Sequence, residues 1–123
     1  MEAACRQLQD ISRTFQISGL IFVGHGGPAC QYVGPMQAND RDQGLSFNNF
    51  SNFYEKLCFA PNTEILYEGC NTGQGSTGHD FVTQTANFTK CTVSAFEDEI
   101  EYERNGLFGF YTYERHLGQQ KFT

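Results

Sequence analysis

The stretch Leu20-Ile21-Phe22-Val23-Gly24-His25-Gly26-Gly27-Pro28 decides how this chain is read. Its apolar residues follow one another without alternation and stop at a glycine. That is the signature of a strand covered on both faces in a parallel sheet. A second run, Glu64-Ile65-Leu66-Tyr67-Glu68, closes in the same way on Gly69-Cys70-Asn71, and Thr92-Val93-Ser94-Ala95-Phe96 supplies a third strand.

Helical spacing fills the intervals. Ala4, Leu8, Ile11 and Phe15 recur at steps of three and four within residues 3–16. Over residues 47–58, Phe47, Phe50, Tyr54 and Leu57 share a face, with Ser46 as N-cap, Leu45 as staple to Phe50, and Pro61-Asn62 as the stop. A third helix, 79–89, follows Gly73, Gly75 and Gly78 and buries Phe81, Val82, Thr85 and Phe88. Between the first two helices, residues 30–45 read as a polar loop with a short extended piece at Gln31-Tyr32-Val33. This order predicts a single α/β domain over residues 1–123, a small open and mostly parallel sheet with helices on both faces. The end of the chain changes character. Glu99 to Glu103 alternates, Asn105-Gly106 is a type I′ turn signal, and Leu107 to Tyr113 returns, which predicts a C-terminal β-hairpin.

Composition narrows the partners. A net charge of −6, with eight scattered Lys and Arg, argues against nucleic acid, whose recognition draws on a basic stripe. No run reaches transmembrane length, so no membrane partner is expected. The five cysteines are widely spaced and form no CxxC pair, which speaks against zinc ribbons and thioredoxin chemistry and for a reduced compartment. With no apolar leader at residue 1, a cytoplasmic location is expected, secretion within a larger protein being the alternative.

The two strand ends carry the chemistry. In open parallel sheets, sites form beyond the carboxyl ends of strands, and a right-handed crossover through the second helix makes the two strands neighbours. His25 and Cys70 would then share a crevice. A thiolate is a nucleophile, and an imidazole can take the thiol proton or return it to a leaving amine. The N–H groups of Gly26 and Cys70 are candidate oxyanion donors, and Gly69 and Asn71 line the approach for a peptide. Taken alone, His25 reads as a loop residue and Cys70 as a small hydrophobe.

The block Glu-Ile-Leu-Tyr-Glu-Gly-Cys-Asn-Thr-Gly-Gln-Gly-Ser-Thr-Gly from Glu64, followed by the Phe81-Val82 helix and Val93-Ser94-Ala95, resembles a caspase-like domain of unassigned function. That domain occurs in large bacterial adhesin-like proteins. More remotely the chain is similar to the caspase, clostripain, gingipain and self-cleaving RTX-toxin peptidases, over roughly residues 17 to 96. The resemblance implies His25 as catalytic histidine, Cys70 as nucleophile, a peptide or protein substrate, and no cofactor or metal. It also implies that Glu68, two residues before Cys70, selects a basic residue ahead of the cut, since a carboxylate pairs well with guanidinium. The superfamily core begins with more strands than this chain has. A sheet that is truncated, completed by dimerisation, or cut from a longer protein is therefore expected, its edge or the hairpin offering a route to a homodimer.

The function expected is a cysteine endopeptidase or self-processing domain. The alternatives are an inactive binding module of the same fold and a small interaction protein dimerising through Phe108, Phe110, Tyr111 and Tyr113. His79 reads as a cap or lining of the third helix, and only with His25, Cys30 and Cys70 as a zinc ligand, without any ligand spacing to support it. His116 and the Glu97–Glu103 acids read as solvated. The Gly73-Gly75-Gly78 loop lacks the Lys-Ser or Lys-Thr of a phosphate cradle.

Overall fold

The computed structural model describes residues 1–33, 44–98 and 120–122. It is a mixed α/β fold with a small parallel sheet at its centre. The elements in chain order are α1 (Glu2–Ser12), β1 (Ile17–Val23), β2 (Gly26–Gly27), β3 (Cys30–Tyr32), β4 (Gly44–Ser46), α2 (Phe50–Tyr54), β5 (Phe59–Glu68), α3 (Gly75–Thr89), β6 (Thr92–Ala95) and β7 (Gln120–Phe122). The main sheet has the order β1-β5-β6-β7, and β2-β3-β4 form a small antiparallel sheet. β1, β5 and β6 run parallel, in a register that aligns Leu20 with Ile65 and Val93, and Phe22 with Tyr67 and Ala95.

These aligned residues share one face, because side chains alternate along each strand and parallel partners point the same way. Helices α2 and α3 cover that face. Tyr67 stacks on Phe81 with ring centroids 5.4 Å apart, and Phe22 meets Phe53 and Tyr54 edge to face. Ile65, Val82, Ala86 and Val93 complete a dry core. The opposite face behaves differently at β1, where Ile21 is 61% and Val23 72% exposed. β1 is therefore not the doubly covered strand that its continuous apolar run suggests. It is the edge strand, with one face open among the described residues.

Three boundaries move. The helix expected over 47–58 is confined to Phe50–Tyr54, because Ser46 ends a strand and Asn49 stands at the N-cap position. Asn49 accepts the Ser46 N–H at 2.8 Å and donates to the Gly44 carbonyl at 2.8 Å, closing a turn where the first helical turn was expected. Leu45, expected as a staple, is a fully buried strand residue. Pro61-Asn62 does not stop a helix but lies within β5, which begins at Phe59 and carries Asn62 at φ 63°. The register slips there, from Ile17 beside Phe59 to Gly19 beside Glu64. Buried Thr63 bridges the irregularity, its hydroxyl within 2.7 Å of the Ile17 carbonyl and 2.6 Å of that of Ala60. Finally, α3 starts four residues early, at Gly75. The hairpin of residues 99–113, with its aromatic run, and His116 lie outside the described residues. β7, which pairs antiparallel with β6, was not expected from the sequence.

A cluster of buried hydroxyls sits in the core. The Tyr54 and Tyr67 hydroxyls are 2.7 Å apart, and Tyr67 donates to Thr85 Oγ1 at 3.3 Å. Thr85 in turn donates to the Phe81 carbonyl at 2.9 Å. Tyr67→Phe leaves the Tyr54 hydroxyl without this partner and is expected to lower stability by about 1–3 kcal/mol. Tyr54→Phe is milder, since Tyr67 keeps Thr85, and the double Phe variant recovers part of the Tyr67→Phe loss. Urea unfolding of the variants in a double-mutant cycle measures this.

Burial also pushes both phenols well above the ordinary tyrosine range. The folded state then holds protons that the unfolded chain releases near its usual pKa of about 10. This contribution to stability is present below that pH and is lost as the pH rises beyond it. Alkaline titration of the urea midpoint is expected to show a steeper decline than in the double Phe variant, where the buried thiols of Cys30 and Cys91 still contribute.

Candidate functional site

The site grows out of the β1–β5 pairing. Val23 and Glu68 are register partners at the ends of adjoining parallel strands. His25 and Cys70 each lie two residues further along, so both leave the sheet at the same edge. His25 is exposed and Cys70 half-buried.

Close contact joins the segments next to them. A Cβ placed on Gly26 would sit 2.4 Å from Thr72 Oγ1, 2.9 Å from the Cys70 carbonyl oxygen and 2.9 Å from Gly69 Cα. A Cβ on Gly69 would meet Gln31 Oε1 at 2.6 Å and Gly26 Cα at 2.9 Å. Both glycines are there because two backbones touch, which no other residue permits. Each flanks one of the two reactive side chains.

The turn after β5 is held from several sides. The Gly69 N–H donates to Gln31 Oε1 at 2.7 Å, and Thr72 Oγ1 donates to the Cys30 carbonyl at 3.0 Å. The Ala29 N–H reaches the Thr72 carbonyl at 3.0 Å. On the far side, the Asn71 N–H donates to the Asp98 carbonyl at 3.1 Å and the Gly73 N–H to the Phe96 carbonyl at 2.9 Å. Asn71 takes the left-handed conformation at φ 62°, which asparagine tolerates better than most residues. The turn then runs directly into α3, whose Gly78 packs so tightly on Gly73 that a Cβ there would come within 2.3 Å of its carbonyl carbon.

The expected site residues are thus placed as follows. His25, Gly26, Glu68, Gly69, Cys70 and Asn71 cluster at one sheet edge. Gly69 is buried and its N–H is taken by Gln31, so it lets the strands approach and does not line an open path for substrate. Glu68 is half-buried at the last position of β5. His79 lies in the first turns of α3 and pairs with Glu97 beyond β6, tying the helix start to the same edge. Among the described residues no group of three or more His, Cys, Asp or Glu side chains gathers as a metal site. Burial raises the Cys30 thiol pKa, which the Tyr32 interaction partly offsets, and so disfavours its thiolate at neutral pH.

Sequence reading missed Gln31 and Thr72. Gln31 opens the short extended piece expected at Gln31-Tyr32-Val33, which the structure places at Cys30–Tyr32, and its burial between Cys30 and Tyr32 is what the reading lacks. The short alternation of that strand was the available signal.

A family model matches residues 1–119. The chain belongs to the DUF4347 family, a domain of unknown function. No curated protein and no solved structure matches it. The match takes in every DUF4347 residue of the strand-end cluster, from His25 to Asn71.

Gly26→Ala is expected to destabilise the fold by about 1–3 kcal/mol through overpacking. Gly27→Ala, with no atom within 4 Å of the added carbon, is expected to change stability far less. Paired urea melts of the two variants make the comparison.

Proposed function

We propose that this DUF4347 chain is a caspase-like cysteine endopeptidase, or a self-processing domain of that kind. The observation that carries the reading is the pairing of Val23 with Glu68 on adjoining parallel strands, which sends His25 and Cys70 out at one edge. The Cys70 thiolate attacks the scissile carbonyl carbon, and the carbonyl electron pair moves to oxygen. The N–H groups of Gly26 and Cys70 receive that oxyanion. Collapse breaks the C–N bond, and the His25 imidazolium gives its proton to the leaving amine. Water, deprotonated by His25, then hydrolyses the thioester and restores the thiol. Glu68, at the same edge, favours a basic residue before the cut.

The second reading, an inactive binding module of the same fold, draws on the exposed Ile21 and Val23 beside the site. One experiment separates the two. Wild type, Cys70→Ala and His25→Ala are treated with iodoacetamide, and each is offered Arg-, Lys-, Asp- and Leu-terminated fluorogenic peptides. The peptidase reading expects selective alkylation of Cys70 among the five thiols and turnover of Arg and Lys peptides. Turnover should be lost in both variants, by a factor of about a thousand or more. Glu68→Gln should erode the basic preference. Unselective alkylation with no turnover favours the binding module, and cleavage of Asp or Leu peptides alone removes Glu68 from its role.

A further inference from the structure

Gln31 carries a polar amide and is fully buried. Such a group persists only where its hydrogen bonds are made. Its Oε1 accepts from the Gly69 N–H at 2.7 Å and lies 3.5 Å from the Thr72 hydroxyl. Its Nε2 donates to the Tyr32 carbonyl at 3.1 Å. That donor contact fixes which way the amide faces and aims the oxygen at the residue before Cys70.

The backbone of the same short strand holds the other half of the site. Gln31 is the register partner of Gly26 across β2 and β3, and the next N–H, of Tyr32, donates to the His25 carbonyl at 2.9 Å. The Gln31 side chain and the main chain of its neighbour Tyr32 therefore grip the two strand ends at once. Thr72 reinforces the grip from the opposite direction through the Cys30 carbonyl.

We infer that Gln31 is the positioning residue of this site, its carboxamide setting where the Cys70 turn stands relative to the His25-Gly26 segment. The inference rests on the peptidase reading for its consequence in catalysis, and on geometry alone for its effect on Cys70. The carboxamide touches no substrate. It acts through the backbone on either side of it.

Two substitutions test this. Gln31→Met keeps the volume and removes both hydrogen bonds. Gln31→Glu keeps the acceptor, and when protonated it also keeps a donor for the Tyr32 carbonyl. Ionised, it loses that donor and faces a carbonyl with a negative charge, and burial raises the pH at which this happens. Ionisation also lowers stability as the pH rises, so positioning is read from rates lost at pH values where circular dichroism shows the fold intact. Gln31→Glu should alkylate at Cys70 and turn over peptides near the wild-type rate in mild acid, and fall behind the wild type in both as the pH rises. Gln31→Met should lose about 10- to 100-fold in kcat with KM little changed.

Rates are followed from mild acid to mild alkali, by mass spectrometry of the Cys70 peptide and by fluorogenic turnover, with circular dichroism at each pH. If Gln31→Met does not fold, the Gln31→Glu profile still decides. An active wild type whose Gln31 variants match it across the range overturns the inference and leaves the peptidase reading intact. A wild type that cleaves nothing, while Cys70 alkylation still follows the Gln31→Glu profile, removes the peptidase reading and keeps the positioning role.

Discussion

Two glycines that touch set the terms for the rest of this molecule. Gly26 and Gly69 stand so close that neither has room for a Cβ. Their approach requires β1 and β5 to be parallel neighbours ending at the same level, which their register provides. It also requires the β2–β3 hairpin to fold back over the end of β5, where Gln31 and Thr72 close the contact. The chemistry-bearing residues are then not gathered by a floppy loop. They are the immediate neighbours of a backbone contact that leaves little freedom.

Beneath that contact an aromatic layer stiffens one face of the sheet. Phe22, Phe53, Tyr54, Tyr67 and Phe81 form a continuous aromatic cluster, and rings at these spacings add attraction beyond the area they bury. The same cluster clamps β1 to β5 directly below His25 and Cys70. The other face of β1 is left with Ile21 and Val23 in solvent. A rigid floor under one edge is what a catalytic constellation needs.

The strand ends were legible in the sequence because the signal there is chemical: an apolar run, a glycine and a reactive side chain, given twice. The α/β class followed from the same runs and from the spacing of Phe81, Val82 and Thr85 in the third helix. Periodicity failed where the elements are short. β4 has three residues, too few for alternation to compete with the helical spacing of Phe47, Phe50 and Tyr54. Asn49 turned the balance through two side-chain bonds that no propensity anticipates. At Pro61-Asn62 the breaker signal was real, but it marked an irregularity inside a strand. The covered face expected for β1 failed for another reason. A continuous apolar run says that a strand is hydrophobic, not that something in the chain covers both its sides.

The turn that bears Cys70 gathers support from every element around it. Asn71 and Ala29 both hold left-handed backbone conformations, and a non-glycine residue stays there only when its surroundings over-determine it. Here β3 contributes Gln31, the β2–β3 turn contributes the Ala29 N–H, and the end of β6 contributes the carbonyls of Phe96 and Asp98. Helix α3 presses Gly78 onto Gly73, and the His79–Glu97 pair fastens its first turns to the same edge. A fold that needed only to bury its core would have no use for so many polar contacts around one largely buried bend, because each must be satisfied or becomes a liability. Their concentration at the ends of β1 and β5, beside the fewer contacts that Thr63, Ser12, Cys58 and Ile17 make at the opposite end of the sheet, makes this edge the place where the fold trades simplicity for fixed geometry.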